Sequence, residues 1–138
     1  MSAPTELVQG IPLFADLDRK ELQGVASSMK ERTFNAGQTI AAEGQTGIGF
    51  FVIAEGSAKV TQGDVERATL GPGDYFGEIA LIDDGMRTAS VTADSDLKVY
   101  GLTSWEFRPI VESNASIAWK LLQTMAKRLR EAEGRSGG

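Results

Sequence analysis

The 138-residue chain contains neither cysteine nor histidine. Without cysteine no disulfide can form, and without either residue most transition-metal chemistry and the commonest general base are missing. A histidine-ligated β-barrel oxygenase is therefore excluded, whereas a two-carboxylate hydrolase or an oxygen-only calcium or magnesium site passes that test. Long hydrophobic runs are also absent: stretches such as residues 50–54 fall far short of the roughly 20 apolar residues that span a bilayer. No membrane contact is expected. The N-terminus has neither a basic start nor an apolar leader, which argues against secretion and makes a cytoplasmic location the expectation. A positive excess is lacking too, since 14 Lys and Arg face 19 Asp and Glu for a net charge of −5. Nothing in that balance attracts nucleic acid. The one local basic cluster, Lys120, Lys127, Arg128, Arg130 and Arg135, is diluted by Glu131 and Glu133 and suits the last turns of a helix in water.

The length fits a single domain over residues 1–138, able to bury about two thirds of its unfolded surface. Residues 1–10 read as irregular, and Ile11-Pro12-Leu13-Phe14 as an apolar anchor broken by proline. Asp18 and Glu21 then form a capping box, and Leu22, Val25, Ala26 and Met29 make the stripe of a helix running to about Lys30. From residue 31 to 102 the pattern changes to short β-prone runs between glycines. The expected strands are 32–34, 39–42, 50–54, 58–62, 65–70, 75–76, 90–93 and 97–102. Eight short strands at this spacing predict a mainly β fold, an eight-stranded antiparallel β-roll or jelly-roll barrel. One short helix, residues 78–82, interrupts it.

Two helices should follow. Thr103 and Glu106 form a second capping box, and Pro109 shortens or kinks the helix they start. Asn114 then caps a last helix over about 115–133, whose apolar residues cover about 200° of arc where a helix lying on one surface needs little more than 100°. The surplus predicts a second contact for this helix, with a ligand, as a lid, or with another copy of the chain through a seam of Ala115, Ala118, Leu122, Met125, Leu129 and Ala132. Residues 134–138 read as a flexible tail or the stub of a longer protein.

Folding alone does not account for residues 76–91, Phe-Gly-Glu-Ile-Ala-Leu-Ile-Asp-Asp-Gly-Met-Arg-Thr-Ala-Ser-Val. Glu78 and Arg87 are held on one loop beside a helix start at Gly77. A carboxylate accepts hydroxyl hydrogen bonds, while a guanidinium and free helix-start amides bind anions, so the loop suits a small ligand bearing both hydroxyls and a phosphate. The same two side chains also fit a structural ion pair. Asp83 and Asp84 read as solvated turn residues, and Phe50, Phe51, Phe76, Trp105 and Phe107 as core. No metal site and no catalytic residue is expected, since only Glu78 is placed to serve a two-carboxylate mechanism.

Residues 76–82 and 87–91, with Asn35-Ala36-Gly37, Glu43-Gly44, Gly47, the 50–53 strand, Gly56 and Leu70-Gly71-Pro72-Gly73-Asp74 upstream, closely resemble the phosphate-binding cassette and frame of the cyclic-nucleotide-binding domain family. The resemblance runs from about Ile11 to Arg130. It implies a sensor module, not an enzyme, with cyclic AMP (favoured) or cyclic GMP as ligand and no other cofactor. In that case Glu78 accepts the ribose 2′-hydroxyl and Arg87 pairs with the cyclic phosphate. The amides of Gly77, Ile79, Ala80 and Ala89 complete the cradle, and Thr88 bears on the choice of base. The last helix would cover the base, with Trp119, Leu121, Leu122 and Met125 as candidate base or lid contacts. Output would come through that helix, by homodimerisation or through a protein partner. Two positions depart from the family pattern: Ile48 stands where an acidic residue is common, and Met86 where proline often precedes the cassette arginine. A β-roll interaction or scaffold domain without physiological ligand is the alternative.

Overall fold

A computed structural model of the chain describes residues 3–44, 49–83 and 87–135. Ile48, Met86, Gly47, Asp84, Gly85 and the last three residues of the expected tail lie outside the described residues. Among the described residues, eight antiparallel strands form two four-stranded sheets: β1 (Lys30–Phe34), β2 (Thr39–Ala41), β3 (Gly49–Glu55), β4 (Ala58–Gln62), β5 (Val65–Leu70), β6 (Tyr75–Phe76), β7 (Ser90–Ala93) and β8 (Leu97–Thr103). One sheet has the order β1-β8-β3-β6 and the other β2-β7-β4-β5. The expected roll is present as two facing sheets and not as a closed barrel.

Two cores explain the run Phe50-Phe51-Val52-Ile53 at the centre of β3. Side chains alternate across a strand, so a strand buried on both faces reads as continuously apolar. Ile53 points between the sheets, with Val91, Ala93, Leu97 and Val99, and Phe51 packs there beside Phe76 at a ring separation of 5.3 Å. Phe50 and Val52 point the other way, into a core shared with the helices. There Phe14 is fully buried, its ring centroid 6.0 Å from both Phe50 and Phe107. Ile11, Leu13 and Phe14, the anchor read from sequence, form a buried 3₁₀ turn, Pro12–Phe14.

The helices are α1 (Thr5–Gln9), α2 (Arg19–Ser28), α3 (Ser104–Glu112) and α4 (Ala115–Arg135). The first corrects the expectation of an irregular N-terminus. One turn of five residues, entered from Pro4 and ended by Gly10, is too short to show a helical period, and it is fixed by burying Val8 against the core. Both capping boxes form: Glu21 N–H donates to Asp18 at 2.8 Å, and Thr103 N–H donates to Glu106 at 3.0 Å. α2 stops at Ser28, two residues earlier than expected, because Met29 turns extended and Lys30 opens β1. α3 accommodates Pro109 and ends at Glu112, with the Ser113 hydroxyl donating back to the Pro109 carbonyl at 2.7 Å. α4 runs two residues past the expected end. Among the described residues no helix is long and apolar enough to cross a membrane.

Candidate functional site

The cassette starts where β6 leaves the first sheet. Tyr75 and Phe76 pair with Val52 and Phe51 of β3, so Gly77 turns away beside Gly49, the first residue of that strand. Gly77 has φ +84°, a left-handed conformation in which a side chain is strained. Space is the second constraint: a Cβ here would overlap the Gly49 carbonyl and the Arg87 guanidinium. Only glycine lets the chain turn this close to both. A 3₁₀ turn, Glu78–Leu81, follows, with Ala80 N–H donating to the Gly77 carbonyl at 3.0 Å.

Arg87 returns to the same point from the far side of the loop. Its Nη2 donates to the Gly49 carbonyl, which aims the guanidinium across Gly77. Its own carbonyl accepts from Gly44 N–H at 2.9 Å, tying the loop to the segment after β2. The flanking residues are held as well: the Ser90 hydroxyl accepts from Glu43 N–H at 2.9 Å, and Gln62 Nε2 donates to the Thr88 carbonyl at 3.1 Å. Thr88 itself is exposed and Ala89 half-buried. Burial pushes the Arg87 guanidinium below its usual value, and the nearby Glu78 charge partly offsets this. Arginine remains cationic under any such shift. Among the described residues the half-buried cation makes one side-chain hydrogen bond, to Gly49, which leaves donor capacity suited to an anion.

Glu78 and Arg87 thus stand on one cradle, close enough for each charge to act on the other. The Glu78 side chain is 18% exposed and has a further cationic neighbour, Arg128 of α4, with Nη1 3.8 Å from Oε1. The sequence reading placed Arg128 among solvated basic residues. A usable signal was its spacing: Lys120, Thr124 and Arg128 share one face at i, i+4 and i+8, along the border of the apolar arc. With Arg128 included, the cradle carries two guanidiniums and one carboxylate, a net charge of +1.

The four α4 residues read as base or lid contacts are distributed differently. Leu121 is buried in the helical core with Ile117. Leu122 and Met125 line an apolar groove of about 720 Å³, bounded by Leu81 and Ile82 of the cassette and Trp105 and Val111 of α3. Trp119 is 62% exposed. The groove lies on the side of the cassette facing α3 and α4, and neither Glu78 nor Arg87 lines it.

A family model described as a cyclic nucleotide-binding domain matches residues 31–114, which span every strand from β2 to β8, the cassette and α3. The chain belongs to the cyclic nucleotide-binding domain family. Curated relatives include a Cyclic AMP receptor protein of Thermus thermophilus, 32% identical over 131 residues that cover 91% of this chain and 61% of that protein. Another is a cyclic nucleotide-gated potassium channel of Mesorhizobium japonicum, 36% identical over 89% of this chain and 34% of the channel. The chain thus spans about three fifths of the first relative and one third of the second. Among solved structures, the N-terminal domain of a transcriptional regulator from Streptomyces coelicolor A3(2) superimposes with a TM-score of 0.84 at 33% identity, covering 91% of this chain and 94% of that one. The Thermus thermophilus Catabolite Activator Protein gives 0.72 at 31%, over 92% and 62%. In this cyclic nucleotide-binding domain the helices surrounding the β-roll are therefore shared with relatives as well as the roll itself.

Proposed function

We propose that this domain, residues 1–138, is a regulatory module that binds a cyclic nucleotide on the cradle of Gly77, Glu78 and Arg87 and passes occupancy to α3 and α4. The observation that carries the reading is the convergence of Arg87 on Gly77, with an acid beside it and a guanidinium that keeps donors to spare. A cyclic phosphodiester needs one cation and oriented amides, and a ribose 2′-hydroxyl needs one acceptor; Arg87 and Glu78 supply the two charged groups. In this reading the amides of Gly77, Ile79, Ala80 and Ala89 line the phosphate, and Thr88 borders the base. Cyclic AMP is favoured over cyclic GMP, in line with the relative named a Cyclic AMP receptor protein.

Output runs through α4. Its exposed apolar residues Trp119, Leu122 and Leu129 follow a 3-4 spacing completed by Ala126, the pattern by which one helix seats against another, so a second copy of the chain is the favoured partner. Neither nucleic acid nor membrane is assigned to this unit, which carries a net charge of −5. The reading involves no catalysis. Calorimetric titration of the folded protein with cyclic AMP and cyclic GMP tests it. Binding below about 100 µM is expected, about −5.5 kcal/mol or better, with cyclic AMP tighter. No heat from either nucleotide would remove the sensor reading.

A further inference from the structure

The end of the β4–β5 hairpin reaches over to the exit of the cassette. Gln62, the last residue of β4, donates from Nε2 to the Thr88 carbonyl at 3.1 Å and accepts from Arg67 Nε at Oε1, also at 3.1 Å. Arginine can only donate and a carbonyl can only accept, so these two neighbours allow the Gln62 amide one orientation. Arg67 is available because β5 carries a bulge. Ala68 stands opposite Val60 and Glu66 opposite Thr61, which leaves Arg67 as the extra residue, and a bulge re-aims the side chain it inserts. Next to Gln62, the Gly63 N–H donates to Glu43 Oε1 at 2.8 Å, while the Glu43 N–H donates to the Ser90 hydroxyl at 2.9 Å. Hydrogen bonds thus hold the chain just before and just after Ala89.

A trans peptide is planar, with its C=O and N–H pointing in opposite directions, and the described peptides are trans. Fixing the Thr88 carbonyl on Gln62 therefore turns the Ala89 N–H away from the hairpin. The neighbouring ladder agrees. Asp94 N–H donates to the Ser57 carbonyl beside β4 and Ala93 N–H to the Gln38 carbonyl beside β2, so alternate amides of this run face opposite neighbours, and Ala89 falls with Ala93. Among the described residues the Ala89 amide has no hydrogen-bond partner. We infer that Gln62 is a positioning residue that keeps the Ala89 amide free and aimed at the ligand's phosphate, so that the end of the β4–β5 hairpin helps to shape the cradle. This inference rests on the proposed reading in which that amide lines the phosphate.

The test uses Gln62→Met, which keeps the length of the side chain and removes its donor. Titration with cyclic AMP should give an affinity about two- to ten-fold below that of wild type, the range for one neutral hydrogen bond. Arg67→Met leaves the donor in place but frees the amide that carries it, and should give a smaller loss. The decisive readout is the Ala89 amide proton in nuclear magnetic resonance spectra. Saturating wild type with cyclic AMP should move this proton downfield, as befits a donor to a charged oxygen, and in Gln62→Met the displacement should shrink while that of the Gly77 amide holds. Unchanged affinity in Gln62→Met, a wild-type displacement at Ala89 in that variant, or an equal change at Gly77, which marks general loosening of the loop, would each overturn the inference while leaving the ligand site standing. Failure of wild type to bind any cyclic nucleotide would instead overturn the proposed function, and this inference with it.

Discussion

Substituting Gly77 by alanine separates two demands that meet at this residue, and their sizes can be worked from the geometry. Its φ of +84° costs a non-glycine residue about 1–2 kcal/mol. Gly37, at φ +88°, shares that conformation but has nothing within 4 Å of where a Cβ would stand, so Gly37→Ala measures the backbone cost alone. At Gly77 the added methyl would lie 2.5 Å from the Gly49 carbonyl, about 1 Å inside ordinary contact, which begins at 3.4 Å. Gly49 is paired to Thr103 in the β3–β8 ladder and cannot retreat cheaply, so the cassette turn must move and Arg87 loses its aim. Overpacking of this kind adds roughly 1–3 kcal/mol. Thermal unfolding should therefore fall by about 3–6 °C in Gly37→Ala and about 6–15 °C in Gly77→Ala, taking about 3 °C per kcal/mol for a domain of this size. Cyclic nucleotide affinity should drop at least about tenfold in Gly77→Ala, equivalent to about 1.4 kcal/mol, and should not change in Gly37→Ala. Equal melting temperatures and equal affinities for the two variants would refute the claim that the cradle is built on this close approach.

Other substitutions test separate parts of the account. Arg87→Gln should weaken cyclic nucleotide binding by about 2–5 kcal/mol, read by titration, because a half-buried phosphate would lose its charge partner. Phe14→Ala should cost about 3–5 kcal/mol in chemical denaturation, since a fully buried ring is removed from between Phe50 and Phe107. The Lys120 ammonium, followed by the Asp18 backbone amide, holds the Glu21 carboxyl below its usual value. A folded pKa that is depressed contributes stability present above the unfolded value near 4.5 and lost as pH falls through the folded one. Unfolding free energy measured from pH 6 downward should therefore begin to fall below about pH 4.5, and Glu21→Gln should flatten that limb.

Much of the frame was legible because glycine-bounded runs and side-chain alternation act locally. Phe50 to Ile53 announced a strand with its phenylalanines in the core, and Asp18 with Glu21 announced a helix start, since each needs only neighbours in sequence. The α1 turn was not legible: its five residues form a helix because Val8 is buried by residues far along the chain. The same distinction runs through the site. Glu78 and Arg87 lie nine residues apart and could be paired by inspection, whereas Arg128 lies fifty residues from Glu78 and its charge looked like that of any solvated helix end. The wide apolar arc of α4 exceeds what one surface needs, but sequence cannot apportion an arc. The fold divides it among the core at Ile117 and Leu121, the groove at Leu122 and Met125, and solvent at Trp119 and Leu129.

The most direct measurement is a crystal structure of the protein with cyclic AMP bound. The account predicts phosphate oxygens within hydrogen-bond distance of the Arg87 guanidinium and the ribose 2′-hydroxyl donating to Glu78, with Arg128 still beside that carboxylate. A nucleotide seated instead in the apolar groove between α3 and α4, with Glu78 and Arg87 unengaged, would contradict it.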